Sequence, residues 1–289
     1  MFYDALIAPF TEFEFMRRAL AAVIALALGA APIGVFLMLR RMSLVGDAMA
    51  HAILPGAAIG FLVSGLNLFA MTTGGLIAGF TVALLAGLVA RHTELKEDAS
   101  LATFYLVSLA LGVTIVSVKG TNIDLLHVLF GNILAMDDPT LLLVAINATI
   151  TLRVLALIYR PLVIESVDPL FLRTVSRAGG TAHLVFLALI VVNLVSGFQA
   201  LGTLLAVGLM ILPAGIARFW SRDITPMICI AVVSAIVSGY VGLVLSFQTR
   251  IPTGPAIILV AAAFYAASVL FGSVGGMVRQ LFPAPHLEA

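Results

Sequence analysis

Residues 40–56 read RRMSLVGDAMAHAILPG, and the order of their chemistry frames the whole chain. Arg40 and Arg41 mark a water boundary, and Ser43 is placed to cap a helix beginning near Leu44. The apolar run that follows carries one carboxylate and one imidazole before Pro55 and Gly56 loosen it. At the rise of an α-helix, Asp47 lies on the order of 9 Å beyond Arg41 and His51 on the order of 15 Å. Both would then sit at membrane depth, where a carboxylate is costly unless a partner or a water-filled path receives it.

Composition makes lipid the solvent. Of 289 residues 62% are hydrophobic and 10% charged, and the mean hydropathy is +1.18, whereas a soluble domain carries about 25% charge. Disordered, coiled-coil, collagen-like and disulfide-framework classes are excluded. Cys229 is the sole cysteine, inside an apolar run, and reads as a small hydrophobe. A net charge of +1 without a basic stripe gives no nucleic-acid partner. The first fifteen residues contain no Lys or Arg, which does not read as a cleaved signal peptide.

Windows long enough to approach the roughly 20 residues a span requires lie near 19–39, 44–64, 69–90, 99–118, 139–159, 181–198, 202–217, 226–247 and 254–272. The sixth and seventh are separated by only a few residues, as a tight hairpin or one broken element, so the expected fold is an all-α polytopic transmembrane bundle of eight to nine spans. Continuous apolar runs exclude a barrel, which would alternate. With residue 1 outside, ten of the fifteen basic residues fall on the cytoplasmic side, four fall outside and Arg153 lies within a span, which follows the positive-inside rule. Arg17 and Arg18 oppose it. They are expected on an interfacial N-terminal helix whose Phe10, Phe13 and Phe15 dip into the acyl boundary. The organisation is an extracytoplasmic or interfacial segment 1–18, one membrane domain 19–275, and a cytoplasmic tail 276–289.

No G-x-x-x-x-G-K-[ST] loop occurs, so any ATP must be handled by another polypeptide. HExxH, CxxC and GxSxG are also missing. Asp47 is the only acidic residue placed inside a span, and its i, i+4 spacing puts it on one helix face with His51. The plain reading is a hydrogen bond that holds the imidazole in one tautomer. The chemical reading is a shared cation. Two donors are too few for a tight Zn2+ site, but a second copy across a two-fold axis would complete two nitrogens and two oxygens.

Residues 165–180, ESVDPLFLRTVSRAGG, are a polar interruption on the cytoplasmic side. Asp168 as N-cap, Pro169 in the first turn and Gly179–Gly180 as terminator outline a short amphipathic helix, with Leu170, Phe171 and Val175 on one flank and Arg173 and Arg177 on another. In GTLLAVGLMILPAGIAR (202–218), Gly202, Gly208 and Gly215 allow close helix approach, Pro213 is a bend and Met210 is packing. His92, His183 and His286 sit at loops or span ends and read as solvated or satisfied.

Four stretches, RRMSLVGDAMAHAILPG at 40–56, DLLHVLFGNILAM at 124–136, GTLLAVGLMILPAGIAR at 202–218 and TRIPTGPAIIL at 249–259, make the chain resemble the membrane permeases of the zinc, manganese and iron class of bacterial ABC importers. The resemblance implies a homodimeric, multi-pass permease of the bacterial cytoplasmic (inner) membrane. It implies two copies of a cytoplasmic ABC ATPase and an extracytoplasmic metal-binding protein as partners. It makes Asp47 and His51 transit ligands for a metal carried as substrate, with no cofactor held permanently. It also makes the 165–180 segment, with Asp168, Pro169, Leu170, Phe171, Arg173 and Arg177, the ATPase coupling site. The pattern departs at Asn132, where the family often has Asp, and at His127, which reads as a solvated loop residue or a relay ligand with Asp124. Zn2+ is the expected cargo because two imidazoles and two carboxylates suit a tetrahedral ion, with Mn2+ or iron as alternatives. A rival, an ion-coupled secondary transporter using Asp47 as proton carrier, calls for an inverted repeat and paired broken helices, and neither is seen in the sequence.

Overall fold

The computed structural model describes residues 6–65, 67–95, 97–118, 136–168, 172 and 178–278. Among the described residues all regular structure is helical: α1 (Ala8–Glu12), α2 (Glu14–Leu39), α3 (Ser43–Ser64), α4 (Leu68–His92), α5 (Glu97–Val118), α6 (Asp138–Val167), α7 (Ala178–Leu201), α8 (Thr203–Arg218), α9 (Ile224–Thr249) and α10 (Thr253–Phe271). Eight of these are long and apolar enough to cross a bilayer, and α8, with 16 residues, is the shorter ninth. The sequence count of eight to nine spans holds, and the chain is a multi-pass membrane protein.

α2 and α8 form the centre. α2 packs on α6, α8 and α9, and α8 also packs on α7, α9 and α10. The other group is α3 with α4 and α5, joined to the rest mainly through α7. The exposed large side chains are those of the outer helices, such as Leu85, Leu106, Leu157 and Leu259, as expected where lipid replaces water as the outer solvent. Cys229 is on this exposed surface.

Two turns set the geometry. Gly202, at φ 82°, joins α7 to α8, a conformation that a side chain would oppose. Beyond it the helices fold back on each other, Gly197 facing Ala206, so the pair is a hairpin and not one broken element. α2 ends in a Schellman motif, in which Met42 N–H donates to Leu37 C=O (2.9 Å) and Arg41 N–H to Met38 C=O (3.1 Å). The left-handed position is filled by Arg41, at φ 59°, instead of glycine. This tight ending changes the expected start of α3. Ser43 is its first residue, Met42 occupies the cap position, and no side chain caps the helix.

Four other expectations are corrected. α2 begins at Glu14, so Arg17 and Arg18 belong to the first long helix, ahead of the expected boundary at 19. Arg18 pairs with Glu14 (2.8 Å) and with Asp138 of α6 (3.1 Å). The aromatic rings of the N-terminal segment find protein partners: Phe10 stacks on Tyr240, and Phe13 packs against Phe15 and Phe247. α6 runs to Val167, which draws Glu165 and Ser166 into its last turn. Gly179 and Gly180 lie in the first turn of α7 and do not end the preceding segment.

Helix α3 is placed by backbone contact. Gly56 meets Gly74 of α4, and Gly60 meets Ala70, with no room for a Cβ at Gly56, Gly60 or Gly74. α3 continues through Pro55 to Ser64. Since proline has no N–H, the carbonyl of His51 loses its usual helical donor. At the next residue, Ser108 Oγ of α5 donates to Ala52 C=O at 2.9 Å, and Pro55 lies against Gly112 of the same helix.

Candidate functional site

Asp47 and His51 occupy successive turns near the start of α3. His51 Nε2 is 3.8 Å from Asp47 Oδ1, beyond hydrogen-bond reach, so the plain reading of a hydrogen-bonded pair does not describe this geometry. The gap is close to the spacing of two donors on one ion, since ligands about 2.0–2.1 Å from a tetrahedral Zn2+ stand about 3.3 Å apart. His51 Nδ1 is buried and has no hydrogen-bond partner among the described residues. The Tyr105 ring of α5 lies over the imidazole, centroids 6.1 Å apart.

The carboxylate points the other way. Asp47 is 62% exposed and His51 29%. They share a seam, Leu44, Asp47, His51, Leu54 and Ala58, of exposed or half-buried residues recurring every three and four positions along α3. The opposite face is buried, and Met210 of α8 packs there against Gly46 beside Asp47, as its reading as a packing residue expects. Among the described residues no cluster of three or more His, Cys, Asp or Glu is assembled, and those residues bring two donors, Asp47 and His51, to this place.

A second polar centre, absent from the sequence reading, lies at the other side of the α2–α3 turn. Arg40, 8% exposed, donates from Nη2 to Glu165 Oε2 at 2.7 Å and from Nε to Ser166 Oγ at 3.2 Å. Its Nη1 stands 2.9 Å from His183 Nδ1, and its guanidinium carbon lies 4.9 Å above the Phe186 ring. His183 is therefore part of a buried network, the satisfied one of the two roles, solvated or satisfied, that its place at a span end suggested. Its i, i+3 spacing to Phe186, opposite a buried arginine, is a tertiary fact with no local signature. A cavity of about 590 Å3 borders the group, lined among others by Arg40, Arg41, Glu165, His183 and Leu88.

A third cluster joins α6 to α7 at mid-length. Asn147 Nδ2 donates to Asn193 Oδ1 (3.3 Å), and Asn193 Nδ2 donates to Thr151 Oγ1 (2.8 Å) and to Leu189 C=O (2.9 Å). Two amides inside apolar spans were a visible signal for it.

Of the coupling residues, Asp168 is seen. It ends α6, its N–H bonded to Ile164 C=O, and its own C=O accepts from Leu172 N–H at 3.3 Å. Pro169, Leu170, Phe171, Arg173 and Arg177 lie outside the described residues, as do Asp124, His127, Asn132 and His286. His92 is exposed, its Nδ1 2.8 Å from Leu88 C=O.

Comparison with known proteins gives the same architecture. The family model described as "ABC 3 transport family" matches residues 12–272. The manganese transport system membrane protein MntC of Halalkalibacterium halodurans is 30% identical over 280 residues, 96% of this chain and 93% of the relative. The manganese import system permease protein ScaB of Streptococcus parasanguinis is 31% identical over 89% of this chain and 90% of the relative. The solved structure of PsaBC from Streptococcus pneumoniae in complex with Fab superposes with TM-score 0.84 at 27% identity, covering 97% of this chain and all of that one. A nearly full-length family match, curated permeases of the same length and the same helical bundle agree: the chain belongs to the ABC 3 transport family, a family of metal ABC permeases.

Proposed function

We propose that this chain is the membrane-spanning subunit of an ATP-driven importer, and that it passes a divalent transition metal into the cytoplasm through a site shared by two copies. The observation that carries the reading is the outward-facing Asp47 carboxylate, 62% exposed and 3.8 Å from the half-buried His51 Nε2 on the same helix face. A carboxylate exposed on a membrane span needs a partner. The three-and-four spacing of the seam around it suits a second α3 crossing at a shallow angle. Two copies would supply two imidazoles and two carboxylates. The cation would then offset the carboxylate charge while it passes.

The donor set accepts Zn2+ as a tetrahedral ion and Mn2+ with added water. The relatives named as manganese permeases shift the preference from Zn2+, favoured by donor chemistry alone, to Mn2+, with iron as a further alternative. The arginine-rich end, holding Arg40, Arg41 and Arg218, is the cytoplasmic one. There the stretch from Asp168 to Arg177 meets a separate ATPase, which supplies the ATP chemistry for which this chain has no phosphate-binding loop. An extracytoplasmic metal-binding protein delivers the ion at the opposite end.

The test is uptake of radiolabelled Mn2+ and Zn2+, in competition, by proteoliposomes holding the chain with its ATPase and binding protein. Asp47→Asn and His51→Gln, each properly inserted, should lower uptake of the transported ion by about tenfold or more, since removing even a group that only orients a metal ligand costs on the order of 10–100-fold. Unchanged uptake in the double variant overturns the transit site, and preference for Zn2+ at equal concentrations overturns the choice of Mn2+.

A further inference from the structure

We propose that Arg40 is a positioning residue for transport, a tie through which displacement of the α6–α7 pair reaches the helix that holds Asp47 and His51. The inference rests on the permease reading above and adds to it a route between the ATPase side and the transit pair.

Three helices meet at this side chain. Glu165 and Ser166 belong to the last turn of α6, and His183 and Phe186 to the second and third turns of α7. Arg40 itself closes α2, its N–H bonded to Phe36 C=O at 3.1 Å. The guanidinium offers its donors in a fixed fork, so it records the relative position of both helices in a way a flexible ammonium would not. α6 and α7 are tied to each other a second time by Asn147, Thr151 and Asn193. Held at mid-membrane and at one end, the two helices are braced to move as a pair. They are also the helices that flank the stretch assigned to the ATPase.

On its other side Arg40 is seven residues from Asp47, and with Arg41 and Met42 it makes up the whole three-residue link between α2 and α3. Arg41 is held at φ 59°, a conformation that the Cβ of a non-glycine residue opposes, and is the kind of strained point at which a turn can change shape. The neighbouring cavity gives the ends of α6 and α7 room to shift without repacking the core. A buried ion pair of this kind contributes little net stability compared with apolar replacements, so stability alone is a weak account of why Arg40, Glu165, Ser166 and His183 are gathered here.

The experiment compares metal uptake with phosphate release in proteoliposomes containing the complete complex, for Arg40→Gln, Arg40→Lys and Glu165→Gln, with Mn2+ and Zn2+ as probes. Arg40→Gln should hydrolyse ATP at close to the wild-type rate while the metal moved per ATP falls by about tenfold, the scale of a typical coupling between two sites. Glu165→Gln should fall in the same direction, and Arg40→Lys should recover part of the ratio because charge is kept and the fork is lost. An unchanged ratio in Arg40→Gln overturns the proposal. So does a parallel loss of uptake and hydrolysis that follows the amount of assembled complex, which is what a purely structural ion pair would give. If Arg40→Gln does not insert, Ser166→Ala and His183→Gln remove single contacts without stranding the guanidinium, and an unchanged ratio in both overturns the tie. A wild-type complex that moves neither ion overturns the permease reading instead.

Discussion

Gly56 of α3 and Gly74 of α4 touch backbone to backbone, each carbonyl occupying the place where the other residue's Cβ would stand. This contact lies on the helix that carries Asp47 and His51, five residues beyond the histidine. It fixes how far α3 can retreat into its own bundle, and so keeps the Asp47 face at the surface.

Replacing Gly56 with Val should therefore do more than perturb packing. Forcing a branched side chain into this contact costs about 1–3 kcal/mol or more, and the detergent-purified protein should show a lower Tm. Gly87→Ala is the matched control, because a Cβ there meets nothing within 4 Å. Equal Tm values for the two variants would contradict the close approach.

The uncovered seam of α3 predicts where two copies meet. Leu44 is 79% exposed and one turn before Asp47. In a Cys229→Ser background, which removes the sole native cysteine, Leu44→Cys should form a disulfide-linked dimer on mild oxidation. Leu157→Cys, equally exposed on α6, should not. A dimer through Leu157→Cys alone would move the symmetric face to α6.

Asn193 holds both Asn147 and Thr151. Asn193→Leu leaves these two buried groups short of partners, at a cost of about 1–3 kcal/mol for each group stranded. The Tm should fall, and replacing Asn147 and Thr151 with apolar residues in the same chain should recover part of the loss. If the triple variant is less stable than Asn193→Leu, the three residues are not acting as one network.

Tyr105 lies against the His51 imidazole. Tyr105→Phe keeps the ring and should leave metal uptake close to wild type. Tyr105→Leu frees the imidazole to adopt other rotamers and should raise the KM for metal several-fold with a smaller change in maximal rate. Equal effects of the two substitutions would assign the role to the phenol oxygen.

Much of the architecture could be read from residue order because lipid imposes simple rules. Each span had to be an apolar helix of sufficient length, and the runs from 19 to 272 announced themselves accordingly. Asp47 and His51 were legible for the same reason: ionisable groups one turn apart stand out against an apolar background. The small residues of 202–218 were visible as a packing face, although only the folded helices show that Gly202 turns the chain back on itself.

What only the tertiary structure decided is where polar groups from distant segments meet. Arg40 lies 125 residues from Glu165 and 143 from His183, and no spacing rule spans such intervals. Their meeting depends on α2 and α6 running side by side in the same direction and on α6 extending to Val167, whereas the apolar window suggested an end near 159. The hydropathy of a segment records its solvent, so spans and intramembrane charges were determined by the sequence itself. The direction each face takes depends on which helices exclude lipid from it, and that is settled only when all of them pack.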